Sequence, residues 1–195
     1  MKSKLVLASS SPRRKEYLKQ LGIEFEIIVP DIDEKVREAE NPKDYVKRIA
    51  EEKALKVASL VSPDRNVVAA DTVVLLNDEI LGKPLDNKDA FCMLVKLSGK
   101  THLVLTGFSI AGGCKEILHS EVVETEVRIK ELTEDEIHGY IKTEEHIDKA
   151  GAYAIQGIGA FMVESISGSY TNVVGLPICE LVNALTKHKL VKIFG

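Results

Sequence analysis

One acidic side chain stands out by its surroundings. In Val-Val-Ala-Ala-Asp-Thr-Val-Val-Leu-Leu, residues 67–76, Asp71 and Thr72 are the only polar residues of a nearly continuous apolar run. Such a run reads as a central strand covered on both faces. Aspartate has poor strand propensity, and a buried carboxylate is costly unless it is paired or binds a metal. A structural tie to a loop remains open for Asp71, and a catalytic or metal-binding role is favoured. A second misplaced charge is Lys53. The stripe Val46, Ile49, Ala50, Ala54, Val57, Leu60 and Val61 marks the apolar face of a helix, and Lys53 falls on that stripe. It either snorkels to water or is one of a group of cations that serve a ligand.

Three further segments carry potential chemistry. LASSSPRR ends a short strand in hydroxyl residues and enters a helix through Ser-Pro, leaving backbone N–H groups at the positive end of the helix dipole. Arg13 and Arg14 fall in its first turn, where the dipole disfavours cations. A bound polyphosphate accounts for them; a surface helix with solvated arginines is the alternative. Gly82-Lys83-Pro84 sets a lysine on a rigid turn, which a plain surface turn also explains. Asp148 to Gly157 (DKAGAYAIQG) combines small residues that let backbone approach a ligand with Gln156, whose amide can pair with a planar edge. Together Arg13, Arg14, Lys53 and Lys83, with Glu34 and Asp71 as carboxylates, supply what a triphosphate and a divalent ion require.

The elements that must hold these residues alternate between strand and helix. Leu5 to Ala8 is a strand, and Pro12 to Leu21 a helix closed by Gly22. Phe25 to Val29 is a strand, followed by an acidic loop, Pro30 to Glu34. Asn41-Pro42 opens a helix to about Val61, and Val67 to Leu76 is the central strand. Asp86 caps a helix to about Leu97. Thr101 to Ala111 and Ile117 to Ile129 pair around Gly112-Gly113, and Thr133 opens a helix to Glu144 with a capping box. A strand near Phe161 to Ile166 lies between Gly-rich loops, and Pro177 starts the last helix. The pattern is α/β with a mixed sheet, read as a single domain over 1–195.

Composition narrows the alternatives. The 195 residues, 45% hydrophobic and 29% charged, are globular in type. Lys and Arg number 26 against 30 Asp and Glu, a formal charge of -4, which disfavours nucleic acid and anionic membranes as partners. No apolar run reaches the roughly 18 residues of a membrane helix, and Leu5 to Ala8 is too short for a signal peptide. Three scattered cysteines without CxxC suit reduced thiols in a cytoplasmic protein. The five histidines lack HxxxH or HExxH spacing, and no GxxxxGKS/T, GxGxxG after a strand or GxSxG is present.

The blocks LASSSPRRKEYLKQLG, AEEKA, AADTVV, GKP, LSGKTHLVLTG, DKAGAYAIQG and GSYTNVVGLP, in that order from about Leu5 to Pro177, closely resemble the Maf family of nucleoside triphosphate pyrophosphatases. The resemblance implies a fold like that of the inosine triphosphate pyrophosphatases, with a central mixed sheet, flanking helices and two lobes around a cleft. It implies a cytoplasmic, often homodimeric hydrolase acting on a nucleoside triphosphate with Mg²⁺ or Mn²⁺. Asp71 then matches the family's proton acceptor, and Ser9, Arg13, Arg14, Lys53 and Lys83 its phosphate-facing group. Glu34 matches its acidic loop residue, which with Asp71 is expected to hold the metal. Arg13, Thr72 and Gln156 match the positions tied to base choice. Thr72 with Gln156 looks like the branch that hydrolyses dTTP and UTP, and unlike the branch acting on 7-methyl-GTP. Ser10 departs from relatives with Gly there, a local change in the loop. Two rivals stay open: a nucleotide-sensing regulator linked to cell division, and a pyrophosphatase for ITP or XTP.

Overall fold

The computed structural model describes residues 4–192. In chain order the elements are β1 (Leu5–Leu7), α1 (Pro12–Gln20), β2 (Phe25–Ile27), α2 (Pro42–Ala58), β3 (Asn66–Leu76), β4 (Glu79–Leu81) and α3 (Asn87–Leu97). They continue with β5 (Thr101–Gly112), β6 (Glu116–Ile129), α4 (Glu134–Ile141), β7 (Val163–Ser167), α5 (Tyr170–Val174) and α6 (Ile178–Lys187). Two 3₁₀ turns, Ala150–Ala152 and Gly157–Met162, precede β7.

The sheet is seven-stranded and mixed, ordered β2-β1-β3-β5-β6-β7 with β4 on the end of β3. β1 pairs in parallel with β2 and β3, while β4 and β7 are antiparallel to their neighbours. The expected helices are present with shorter ends: α2 stops at Ala58 and α4 at Ile141. The cap residues act as their types dictate. Asn41 accepts from Lys43 N–H at 2.9 Å, Asp86 from Asp89 N–H at 2.7 Å, and Thr133 and Glu136 form the capping box. β4 and α5 are additions to the sequence reading. β4 arises because Asn77 and Asp78 both adopt left-handed backbone (φ 48° and 68°), the two-residue turn that folds a hairpin.

The chain divides into two compact units. The first comprises the chain up to Asp71, Thr106–Val123 and the chain from Gly175; the second comprises Thr72–Leu105 and Glu124–Val174. In the first unit, alternate residues of β1 and β3 enter two cores. Leu5, Leu7, Val68 and Ala70 pack with Leu18 of α1 and Leu181 and Leu185 of α6. Val6, Ala8, Val67 and Ala69 pack with Ala54, Val57 and Ala58 of α2. Both faces are thus covered, which is why the β3 sequence lacks polar alternation. The close approach of α2 depends on Gly107 in β5, where a Cβ would stand 2.3 Å from the Val46 carbonyl oxygen.

The second unit has its own core. Val74 and Leu76 of β3 meet Leu94 and Leu97 of α3, Val127 and Ile129 of β6, and Ile137 and Tyr140 of α4. His102 is buried there, its Nε2 2.9 Å from the Tyr153 hydroxyl. Burial in this apolar setting pushes the His102 imidazole down to about 4 and raises Tyr153 above its ordinary value. Among the described residues no helix is long and apolar enough to cross a membrane, and Cys92, Cys114 and Cys179 are exposed free thiols.

Candidate active site

The parity of β3 decides where Asp71 lies. Val67 and Ala69 face α2, so Asp71, two residues on, continues toward the helix that carries Lys53. Both residues are buried, 8% exposed each. The Lys53 ammonium donates to Asp71 Oδ1 at 2.8 Å and stands 3.0 Å from Glu34 Oε1. Lys53 does not snorkel: it is the cation that makes burial of Asp71 tolerable. The ammonium thereby gathers two carboxylates from segments 37 residues apart in sequence.

Glu34 lies on the exposed acidic loop, and α2 fixes that loop from beneath. Tyr45 donates its hydroxyl to the Glu34 carbonyl at 2.8 Å. Arg48 grips Glu40 through Nε (2.5 Å) and Nη2 (2.7 Å), reaches Glu52 through Nη1 (3.2 Å), and donates to the Lys35 carbonyl at 3.1 Å. The hydrogen bonds from Arg48 pull the Glu40 carboxyl down to about 2 and raise the guanidinium's own value. Burial, followed by the carboxylates of Asp71 and Glu34, raises Tyr45 to about 12. Sequence reasoning missed Arg48 and Tyr45. The i,i+4 spacing of Arg48 and Glu52 was a visible signal; the bonds to the loop had none.

At the start of α1, Ser9 is buried and its Oγ accepts from Ser11 N–H at 3.1 Å. Ser11, the N-cap, makes no side-chain cap of its own, and no acidic residue occupies the first turn. Arg13 and Arg14 are both half-buried. Arg14 binds protein: Nε donates to the Gly175 carbonyl at 2.7 Å, and Nη1 to the Ala70 carbonyl at 2.8 Å and Ser9 Oγ at 3.3 Å. Burial lowers the Arg14 guanidinium, Asp71 and Glu34 oppose the shift, and Arg13 adds to it. The first unit thus assembles Ser9, Arg13, Arg14, Glu34, Lys53 and Asp71.

The second unit holds Thr72, Lys83 and Gln156. Lys83 follows β4, with its ammonium 3.6 Å from Asp148 on the exposed surface. The Gly82 carbonyl accepts from Gly151 N–H at 3.0 Å, so the two Gly-rich segments are joined. Gln156 is exposed and leads into the 3₁₀ turn Gly157–Met162.

A metal can be tested against these donors. Among the described residues no group of three or more His, Cys, Asp or Glu is placed to hold one. The pair on Lys53 offers carboxylate oxygens only, which suits Mg²⁺ or Mn²⁺ bound by one or two carboxylates and substrate phosphates, and does not suit zinc.

The sequence profile of the family described as Maf-like protein matches residues 4–188. The chain belongs to the Maf family. It is 50% identical over 185 residues to a dTTP/UTP pyrophosphatase of Vibrio cholerae, covering 95% of this chain and 98% of that protein. It is 48% identical to one of Desulfotalea psychrophila, covering 97% and 96%, and 47% identical to one of Clostridioides difficile, covering 97% of each. Among solved structures, this Maf chain resembles a HAM1 protein from Coxiella burnetii (TM-score 0.55, 96% and 100% covered) and the Staphylococcus aureus Ham1 protein (0.52, 95% and 98%). At 14% identity in both cases, these likenesses speak for the fold of the Maf chain, an α/β architecture around a mixed sheet.

Proposed function

We propose that the chain hydrolyses dTTP and UTP to the monophosphate and pyrophosphate, removing such nucleotides, or modified pyrimidine forms of them, from the pool. The buried Lys53 braced between Asp71 and Glu34 carries this reading. An architectural ion pair does not need a second, half-exposed carboxylate. Near-50% identity to proteins named dTTP/UTP pyrophosphatase, over nearly their whole length, supports the substrate.

The roles follow from charge and position. Water attacks the α-phosphorus, the α–β bridging P–O bond breaks, and pyrophosphate leaves with the bonding electrons. Asp71 acts either as the acceptor of the water proton or, with Glu34, as a metal ligand, two roles that a pH–rate profile with two different metals separates. Lys53 supplies positive charge toward the phosphates. In the second role Glu34 and Asp71 would hold a Mg²⁺ or Mn²⁺. When bound, that ion supplies Lewis-acid charge to the phosphate oxygens. Arg13 offers a planar fork for phosphate, Lys83 a point charge, and Ser9 a hydroxyl at the mouth of α1. Arg14, with Nε and Nη1 bound to protein, holds the Ser9 loop and the Ala70 carbonyl next to Asp71. Gln156 reads a pyrimidine through an amide that both donates and accepts, with Thr72 and Arg13 at the other positions tied to base choice. Exposed free thiols support a reducing cytoplasmic location, and the family resemblance a homodimer, which light scattering checks.

The test is a nucleotide panel with Mg²⁺, scored by released pyrophosphate. dTTP and UTP are expected to lead, and Asp71→Asn to abolish turnover. Preference for ITP or XTP, or nucleotide binding without pyrophosphate release, overturns the reading.

A further inference from the structure

Gln156 is exposed, so the accuracy with which it can meet a base must come from its backbone. That backbone is anchored on both sides from α4 and the residues just beyond it. Upstream, the Tyr140 hydroxyl accepts from Ala154 N–H at 3.2 Å. Downstream, the carboxylate of Glu145 divides its oxygens. Oε1 accepts from Ile158 N–H at 3.0 Å and Oε2 from Gly159 N–H at 2.7 Å. The anchors thus fall two residues before Gln156 and two and three residues after it. Between them Gly157 takes a left-handed conformation (φ 71°), and a Cβ there would stand 2.0 Å from Glu145 Oε1. The left-handed backbone calls for glycine there, and a side chain in its place would displace the carboxylate.

We propose that Glu145 is a positioning residue for base selection. By pinning two successive amides with one charged group, it holds Gln156 where its amide can discriminate between uracil or thymine and cytosine. The inference rests on the proposed reading of Gln156 as the group that meets the base. Amide–base recognition tolerates misplacement of about half an ångström, and charge-assisted bonds to backbone N–H groups are the stronger kind. A loop held by neutral bonds alone would let the amide of Gln156 swing and flip, and uracil and cytosine present opposite patterns to a flipped amide.

Glu145→Gln keeps the shape but sets an NH₂ against one of the two N–H donors, so one anchor is lost. The readout is the ratio of kcat/KM for UTP to that for CTP, measured in wild type, Glu145→Gln, Gln156→Ala and the double variant. The ratio is expected to fall about tenfold or more in Glu145→Gln. The double variant should match Gln156→Ala, because a positioning residue acts only through the residue it positions. Gly157→Ala, which strains the turn beside Gln156 and displaces the carboxylate from both amides, should lower the ratio at least as far as Glu145→Gln. If Glu145→Gln slows UTP and CTP alike while Gln156→Ala collapses the ratio, Glu145 serves the fold only and the inference fails, with the function intact. If Gln156→Ala leaves the ratio unchanged, the reading of Gln156 itself fails, and the role of Glu145 with it.

Discussion

Replacing Lys53 by Met separates what holds the first unit together from what reacts. Methionine matches the lysine stem in length and helix propensity, so α2 is undisturbed and the change is the loss of one ammonium. That ammonium lies 2.8 Å from a buried carboxylate and 3.0 Å from a half-exposed one. Removing one partner of a buried pair costs about 3–5 kcal/mol. The lower end applies, because Arg14 still attracts Asp71. Lys53→Met is therefore expected to lose about 3 kcal/mol, or roughly 6–12 °C in Tm for a chain of this size. Asp71→Asn removes a charge instead of stranding one. Its amide oxygen still accepts from Lys53, and Glu34 still faces the ammonium, so the cost is about 1 kcal/mol. Both variants are expected to be inactive, yet Asp71→Asn should be the more stable by about 2 kcal/mol. The double variant strands neither charge and should be more stable than Lys53→Met alone, a coupling of about 2 kcal/mol. Urea unfolding at pH 7.5, with constant slope across the set, measures all four. A Lys53→Met protein as stable as Asp71→Asn, or a double variant at the sum of the two losses, refutes the account.

Other consequences are more local. His102 is depressed to about 4 from an ordinary 6.5, so it folds neutral and its contribution is complete above pH 6.5. As pH falls toward 4 the unfolded chain takes up the proton first, and about 3 kcal/mol is lost across that window. In His102→Gln, which keeps an amide for the Tyr153 hydroxyl, the fall in stability from pH 7 to pH 4 should be smaller by about that amount; parallel curves would count against it. Arg48→Lys should loosen the Glu34 loop, raising the Mg²⁺ concentration for half-maximal turnover several-fold with little change in kcat at saturating metal. Because Glu40 is held near 2, its contribution is complete above pH 4.5 and is lost progressively as pH falls from there through 2. The Arg48→Lys effect should therefore be constant from pH 6 to 9, and a pH-dependent effect would point to another group.

Residues that broke a pattern were the ones legible in advance as a cost the fold had to meet. A charge on the apolar stripe of a helix and an acid inside an apolar strand each announce an unmet cost, and costs of that kind are local to the sequence. Their meeting is not local: it depends on the register of α2 over β3, which no spacing within either element encodes. Strand parity takes the argument part of the way, since Val67, Ala69 and Asp71 must share a face. The helices with caps were equally legible. β4 was not, because its three residues lack periodicity and its turn uses Asn77-Asp78 in place of the Asn-Gly or Asp-Gly that signals a hairpin.

The two adjacent arginines show where reading by residue type ends. Arg13 and Arg14 occupy the same unfavourable turn of α1, and the sequence gives no ground to treat them differently. Yet Arg14 spends Nε and Nη1 on carbonyls of Gly175 and Ala70 and on Ser9, one of them 161 residues away. Its guanidinium ties β1, β3 and the segment entering α6 at the point where Asp71 begins. A cation at the positive end of a helix is tolerated here because carbonyl oxygens and the nearby carboxylates offset the dipole. An anion is one way to justify such a charge, and converging backbone carbonyls are another, available only after the chain has folded. The same distinction applies to Glu145, an ordinary acidic residue in sequence whose significance lies in two amides that reach it through the fold.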